Sequence, residues 1–227
     1  YWYNGSEYAG SIKTNPKQWN HIVYARDTSE GVLKMYLNGT QVYSSTSFNS
    51  TNLSGTTTGT AVIGQGVQNI AYIRGHLADV RVVKGSSAYD LSGTTISVPT
   101  KPLEVITNTS LLISSTKNRF LDLSTNAYDV VTDGPEISDF SPYSPDPNTV
   151  TQDLSIAGGS FQFDGLPDKL QVPDSNDWNP GALDFTIEGW YYLTASGSYY
   201  FLWGTGGSDG NEDLAIRVNT NNTLGAY

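Results

Sequence analysis

Short strand-like segments separated by turn residues run along the whole chain of 227 residues. Gly, Asn, Ser and Asp interrupt these segments every few residues, and no stretch holds the apolar period of about 3.6 residues that a helix needs. The clearest unit is residues 31–42, where Leu33, Met35 and Leu37 alternate with other side chains. Asn38-Gly39 then supplies the positive-φ pair of a type I′ turn. The sequence therefore predicts an all-β protein with a hairpin at this point.

Length and charge limit the size and the partners of the protein. A chain of 227 residues suffices for one large sandwich or two small domains, which bury roughly 70% of the unfolded surface. With 22 acidic and 12 basic residues the net charge is -10, which disfavours nonspecific binding to nucleic acid or anionic membrane. The absence of cysteine excludes disulfides, thiolate metal sites and thiol nucleophiles. Because no apolar run is long enough to span a bilayer, we expect no membrane insertion.

Further strands are predicted on both sides of the proline cluster at residues 99–102. Before the cluster they cover residues 19–26 and 77–84. After it they cover residues 110–113, 127–132, 160–163, 169–172, 183–193, 199–203 and 214–219. Prolines at positions 142, 145 and 147 exclude a central strand from residues 140–148, which we interpret as a loop. Many short strands with closely spaced turns indicate a sandwich or barrel.

Two groups of motifs resemble the two halves of a concanavalin A-like, laminin-G-like jelly roll. Motifs similar to the second half of the family are WNHIVYAR at 19–26, LKMYLNG at 33–39, IG at 63–64 and GHLADVRVVKG at 75–85. Motifs similar to its opening strands are SLLI at 110–113, DLS at 122–124, FQFDG at 161–165, LQVPD at 170–174 and DFTIEGW at 184–190. The resemblance implies an antiparallel two-sheet jelly-roll sandwich with its halves in permuted order. Residues 1–106 resemble a C-terminal half, and residues 107–227 resemble the N-terminal half of the next, or of the same, sandwich.

The connecting segments run from NRFLD at 118–122 through FSP at 140–142. They resemble tandem laminin-G-like repeats in virion fibre and appendage proteins of tailed phages. Reading from Tyr227 into Tyr1 gives an uninterrupted passage of the kind expected inside one such domain. Three arrangements stay open: the halves close within one chain, each half completes a half of a neighbour in a head-to-tail contact, or the chain is one period of a longer polypeptide. The resemblance implies a structural and adhesive repeat module at a virion or extracellular surface. Its partners would be neighbouring repeats or copies of itself.

Enzyme chemistry is the next question, because the same fold hosts glucan hydrolases. Retaining hydrolases need two carboxylates about 5–5.5 Å apart, and the related enzymes carry them on one strand with a Glu-x-Asp-x-x-Glu-like spacing. No segment here has that spacing: Glu188 stands alone, and the adjacent Glu212-Asp213 pair would point to opposite faces of a strand. Neither His21 nor His76 neighbours a nucleophile motif or a metal-ligand partner in sequence. We therefore predict no catalysis, with these side chains in structural or surface roles, and keep a glucanase-like hydrolase as the alternative.

Calcium is the ion that the resemblance favours, because the family often holds a structural ion beside its closing strand. Asp79 matches the position from which relatives present a carboxylate, and Asp164 with backbone carbonyls would complete the shell. The other interpretation pairs Asp79 with Arg81 or a turn amide. A second oxygen-rich segment lies at Asp209, Asn211 and Asp213. It resembles the start of a calcium loop but lacks the later bidentate Glu.

Carbohydrate binding is the alternative function, as a lectin-like module that attaches to a cell-surface glycan. Aromatic rings stack on sugar faces, while neighbouring polar groups bind the hydroxyls. The candidate rings are Trp2, Tyr3, Tyr8, Tyr199, Tyr200 and Trp203. The opposing interpretation places half or more of them in the core of the sandwich, where Trp19 and Trp190 are expected.

Overall fold

A computed structural model of the chain describes residues 8–48, 51–53, 59–66, 71–116, 119–143, 159–206 and 212–226. These ranges hold sixteen strands and a short 3-10 helix at Asn176–Trp178. The strands are β1 (Tyr8–Lys13), β2 (Trp19–Asp27), β3 (Val32–Leu37), β4 (Thr40–Ser45), β5 (Ala61–Ile63), β6 (Gly75–Lys84), β7 (Thr109–Thr116), β8 (Arg119–Asp122), β9 (Val131–Asp133), β10 (Glu136–Ser138), β11 (Ser160–Phe163), β12 (Lys169–Val172), β13 (Phe185–Leu193), β14 (Tyr200–Gly206), β15 (Glu212–Val218) and β16 (Thr223–Ala226). Within the described ranges, no helix has the length and apolar character needed to cross a membrane.

Two antiparallel sheets are stacked on each other. The first has the strand order β1-β16-β15-β14-β5-β12-β9, and the second has the order β10-β11-β6-β13-β2-β3-β4. The long strand β6 pairs with β11 through its first residues and with β7 through its later ones, and β8 extends the sheet beyond β7. The predicted all-β, two-sheet sandwich is confirmed.

Strands from the two sides of residue 106 interleave in both sheets. Strand β5 lies between β14 and β12, and β13 lies between β6 and β2 with eight residue pairs on each side. Strand β1 pairs with β16, so that Tyr8 lies opposite Ala226. In this structure the two sides of residue 106 therefore pair with each other within one chain. The boundary at residue 106 stays a prediction.

One large hydrophobic core fills the space between the sheets and accounts for the alternating sequence pattern. Leu33, Met35 and Leu37 of β3 all point into it. Asn38 and Gly39 have φ values of 49° and 79°, which are the positive angles that the type I′ turn requires. The predicted hairpin is thus confirmed as β3 and β4.

The boundaries of the other predicted strands agree to different degrees. Residues 160–163 and 169–172 form β11 and β12 as predicted. Residues 127–132 were expected to be extended throughout, but only β9 at their end is a strand. Ala127 takes a left-handed φ of 48°, and the Tyr128 N–H donates to the Asp122 carboxylate instead of to a neighbouring strand. Residues 140–143 lie outside the strands, as the proline pattern predicts, and residues 144–148 lie outside the described ranges.

Candidate functional site

A β-bulge in β6 sets the geometry of the site. Residues 79 and 80 together face the single residue Gly189 of β13, while the pairs on either side stay one to one. Asp79 takes a left-handed φ of 48°, a conformation in which Asp is enriched among non-glycine residues. Strict alternation predicts that Leu77 shares a face with Asp79, and this is wrong. Because the bulge inserts one residue, Leu77 and Val80 both pack in the core, and Asp79 contacts segments outside it.

The carboxylate of Asp79 is fully buried and accepts three hydrogen bonds. Its Oδ1 accepts from the Ser114 hydroxyl at 2.8 Å, and its Oδ2 accepts from the Leu103 N–H at 2.9 Å and from the Tyr143 hydroxyl at 2.8 Å. Burial is the largest influence on the pKa of Asp79 and raises it above its ordinary value, although these hydrogen bonds and the Arg81 charge oppose the shift. Asp79 thus joins β6 to β7 and to two loop segments.

A second carboxylate, Glu188 of β13, is the centre of a charged cluster. Its side chain is 0% exposed, and that of its partner Arg81 is 7% exposed. Oε1 of Glu188 accepts from Arg81 Nε at 2.9 Å and from Nη2 at 2.6 Å. Oε2 accepts from the Tyr89 hydroxyl at 2.5 Å and lies 3.2 Å from Nε2 of His21. These four residues form what we call the Glu188 cluster.

The protonation states in the Glu188 cluster follow from these contacts. Burial acts most strongly on the pKa of Glu188 and raises it, but the His21 hydrogen bond, the Arg81 charge and the Tyr89 hydroxyl outweigh it, so that the pKa lies below its ordinary value. Burial and the adjacent carboxylate raise the pKa of Tyr89, which keeps its hydroxyl protonated as a donor. Glu188 is therefore an ionised acceptor whose two oxygens are both occupied by protein groups.

A strap, residues 85–106, covers this side of the second sheet. Besides the Tyr89 and Leu103 contacts described above, Arg81 Nη1 donates to the Glu104 carbonyl oxygen at 2.8 Å. Lys34 Nζ and the Tyr36 hydroxyl both donate to the Gly93 carbonyl oxygen, at 2.9 Å and 3.1 Å. The strap is thus attached along its length by polar side chains that the sheet projects outward.

Four half-buried rings lie together near one end of the same sheet. Phe140 is the common neighbour, with ring centroids 4.9 Å from Tyr192, 5.0 Å from His76 and 5.2 Å from Trp19. Nδ1 of His76 lies 3.1 Å from the Ser160 hydroxyl. Burial lowers the pKa of His76 to about 4, so the ring is neutral near pH 7. The structural role predicted for His76 fits these contacts.

The candidate sugar-binding rings separate into three groups. Trp2 and Tyr3 lie outside the described residues, as does the side chain of Tyr8. Tyr200 and Trp203 are only 5% and 2% exposed and belong to the core between the sheets. A sugar has no access to a ring in that position, so these two predictions are corrected to core residues, as the opposing interpretation expected.

Tyr199 is the exception among the predicted rings. Its side chain is 42% exposed, and among the side chains that the structure describes it is the one aromatic classed as exposed. The guanidinium carbon of Arg217 lies 4.5 Å from the centre of its ring. This cation–π contact orients the ring at the surface, where it is available to a ligand.

Protein groups occupy the carboxylate of Asp79, the main ligand of the predicted calcium site. All three donors to Asp79 are protein groups, and Asp164 is exposed on the turn after β11. Asp209 and Asn211 lie outside the described residues, as does the side chain of Asp213. Among the described residues, no group of three or more His, Asp or Glu side chains is arranged to hold a metal. Calcium binding stays a prediction.

The sequence predicted separate roles for Glu188 and His21 but not the contact between them. Glu188 was expected at the surface or in a hydrogen bond, and the structure has it buried and hydrogen-bonded; the only sequence signal is a single acid within an apolar strand. His21 has the structural role predicted for it. Tyr89 was missed, because it lies 99 residues from Glu188 in a segment without strand periodicity.

The fold and the covered sheet define an all-β jelly-roll sandwich. Residues 1–90, which include β1 through β6 and the start of the strap, match the family model of the concanavalin A-like lectin/glucanases superfamily. No curated protein and no solved structure matches the chain. The match and the two stacked antiparallel sheets make the fold a concanavalin A-like sandwich. Because this fold is related to both lectins and glucanases, the match by itself assigns no activity.

Proposed function

We propose that the chain is a non-catalytic structural and adhesive module, of the kind that repeats along a virion fibre or an extracellular filament. The observation that supports this proposal is the saturation of Glu188. Both of its oxygens are occupied by Arg81, His21 and Tyr89, and Tyr89 belongs to the strap that covers the site. The cluster therefore holds the sheet and the strap together.

The neighbouring acid supports the same interpretation. A glycoside hydrolase needs one carboxyl group to donate a proton and a second to attack the sugar or activate water, and both must face the substrate. Asp79 is 0% exposed and is bound to Leu103 of the strap as well as to Ser114 and Tyr143. Both carboxyl groups thus contribute to the attachment of the strap instead of lining an open cleft.

The virion part of the proposal rests on the sequence resemblance of residues 118–142 to tandem repeats of phage fibres. Antibodies raised against the purified chain provide a direct test by immunoelectron microscopy of phage particles. We expect label at regular intervals on an appendage. Label confined to host cells, with none on particles, would contradict a virion role. A role in an extracellular filament would then be tested by the same labelling assay.

The non-catalytic part is tested by assaying the wild type and Glu188→Gln on a panel of glucans. We expect no turnover by either protein and a loss of stability in the variant. Glu104→Gln is the matched control, because Glu104 is 71% exposed and pairs only at the surface with Lys101. Glucan turnover by the wild type that is abolished in folded Glu188→Gln and retained in Glu104→Gln would establish a hydrolase instead.

A lectin-like module is the second candidate, and the exposure of Tyr199 favours it. The ring is 42% exposed and oriented by Arg217, as expected for a surface that stacks on a sugar. A glycan array with the wild type and Tyr199→Ala tests this role. Retention of a glycan by the wild type alone supports it, and equal retention by both proteins places any binding elsewhere.

A further inference from the structure

The two rims of the sandwich are formed by the terminal strands of both sheets. The β1 rim consists of β1 and β4, which lie against each other: the Ser11 hydroxyl donates to the Val42 carbonyl oxygen at 3.3 Å, and a Cβ on Gly10 would lie 3.0 Å from the Val42 side chain. The β9 rim consists of β9 and β10, which are joined by Gly134-Pro135; β9 ends the first sheet on the opposite side, and β10 ends the second sheet beside β11, while β8 ends it beside β7. The strap pairs with the start of β4, where the Gln41 N–H donates to the Thr94 carbonyl oxygen at 2.9 Å. The strand edges that the two rims offer to a partner are therefore those of β1 and β9.

The two rims carry opposite charge. Residues 8–20 and 40–48, around the β1 rim, contain the exposed Lys13 and Lys17 and no acidic residue, although the chain as a whole has 22. Residues 129–139, around the β9 rim, contain no basic residue. Their four acidic side chains are all exposed: Asp129, Asp133, Glu136 and Asp139. Asp133 is partly neutralised by Lys169 at 3.4 Å, so the other three acids account for most of the charge.

Each rim also exposes an apolar side chain on its terminal strand. Ile12 of β1 is 42% exposed, and Val131 of β9 is 57% exposed. Within the described residues, both strands end the first sheet, so their outer edges have no neighbouring strand. A strand edge of this kind is a template for pairing with another chain unless charge or irregularity blocks it. Here the charges on the two rims attract each other, and like rims repel.

We propose that the β1 rim of one copy binds the β9 rim of the next, which continues the first sheet from copy to copy. The contact is heterologous, because the two surfaces differ, and it does not close on itself, so it generates a linear array. The partner is a second copy of this chain. This inference rests on the proposed structural function and specifies how the repeats join.

The proposal is tested by sedimentation equilibrium of the whole chain with three pairs of charge reversals. The basic rim is reversed by Lys13→Glu with Lys17→Glu, and the acidic rim by Glu136→Lys with Asp139→Lys. Lys84→Glu with Lys101→Glu changes the net charge as the first pair does but lies outside both rims. We expect the wild type to associate in a concentration-dependent manner, more strongly at low salt, because screening weakens attraction between exposed charges.

The decisive result is the behaviour of mixtures. Each rim variant alone should associate at least about tenfold more weakly than the wild type, because like charges then meet at every contact. An equimolar mixture of the two rim variants should regain association, and the Lys84/Lys101 variant should behave as the wild type. A wild type that is monomeric up to about 1 mM at low salt, or a mixture that does not regain association, would overturn the contact. Neither outcome affects the glucan assay. The proposed non-catalytic function is refuted separately, by glucan turnover.

Discussion

Replacement of Glu188 by Gln measures what the buried Glu188 cluster contributes to stability. The amide has the shape of the carboxylate, so packing against β2 and β6 is kept, and only the charge and one acceptor position are lost. Arg81, with a side chain 7% exposed, is then a buried cation without its counter-ion. Tyr89 also loses the carboxylate oxygen to which it donates.

The expected cost follows from the burial of the pair. Removing one partner of a buried ion pair typically costs about 3–5 kcal/mol, because the remaining charge is desolvated without compensation. We expect about 3 kcal/mol for Gln, since its amide oxygen still accepts from Arg81. With a urea dependence of about 3 kcal/mol per molar for a chain of this size, the unfolding midpoint should fall by about 1 M.

Urea unfolding followed by tryptophan fluorescence is the assay, with Glu104→Gln as the control. The Lys101–Glu104 pair has side chains 71% exposed, so its loss should leave the unfolding midpoint nearly unchanged. A double replacement of Glu188 and Arg81 by Leu should recover much of the loss, because it removes both charges of the pair together. Equal midpoints for Glu188→Gln and Glu104→Gln would refute the assignment of Glu188 as a buried structural anion.

Three further predictions concern the acid of the bulge, the order of the halves and the candidate rings. Because burial raises the pKa of Asp79 in the folded state, the stability it contributes is present below its unfolded pKa and is lost as pH rises through the folded value. The stability of Asp79→Asn relative to the wild type, measured by urea unfolding, should therefore increase as pH rises above about 4, the ordinary pKa of Asp, and parallel pH profiles would contradict this. A permutant with Tyr227 linked to Tyr1 and new ends between residues 106 and 107 should fold with a melting temperature within about 5 °C of the wild type, and an unfolded circular dichroism spectrum would count against one permuted sandwich. Trp203→Ala should cost about 3–5 kcal/mol and Tyr199→Ala below about 1 kcal/mol in the same unfolding assay; similar losses would mean that Trp203 is not a core residue.

Local signals were enough to predict the β3–β4 hairpin from the sequence. Its alternation of Leu33, Met35 and Leu37 and its Asn38-Gly39 turn depend only on near neighbours. The family resemblance then supplied the two-sheet sandwich, because the order of many short motifs is more specific than any one of them.

The geometry of the site depends on pairing that the sequence does not display. The bulge at Asp79 exists because β6 is one residue longer than β13, the strand with which it pairs. Alternation within β6 alone therefore assigns Leu77 to the wrong face. The contact of Tyr89 with Glu188 joins residues 99 positions apart. Whether a ring such as Trp203 or Tyr199 faces the core or solvent also depends on where the second sheet lies.

The interleaving of the strands sets the order of events in folding. Strand β13 lies between β2 and β6, and its Glu188 meets His21 from 167 positions away. Until β13 has been synthesised, β2 and β6 lack the neighbour that separates them, and their apolar faces stay open to wrong partners. Such non-local pairing slows folding to times on the order of milliseconds to seconds or longer. We therefore expect both sheets to form in one late, cooperative step, after β13 has been added.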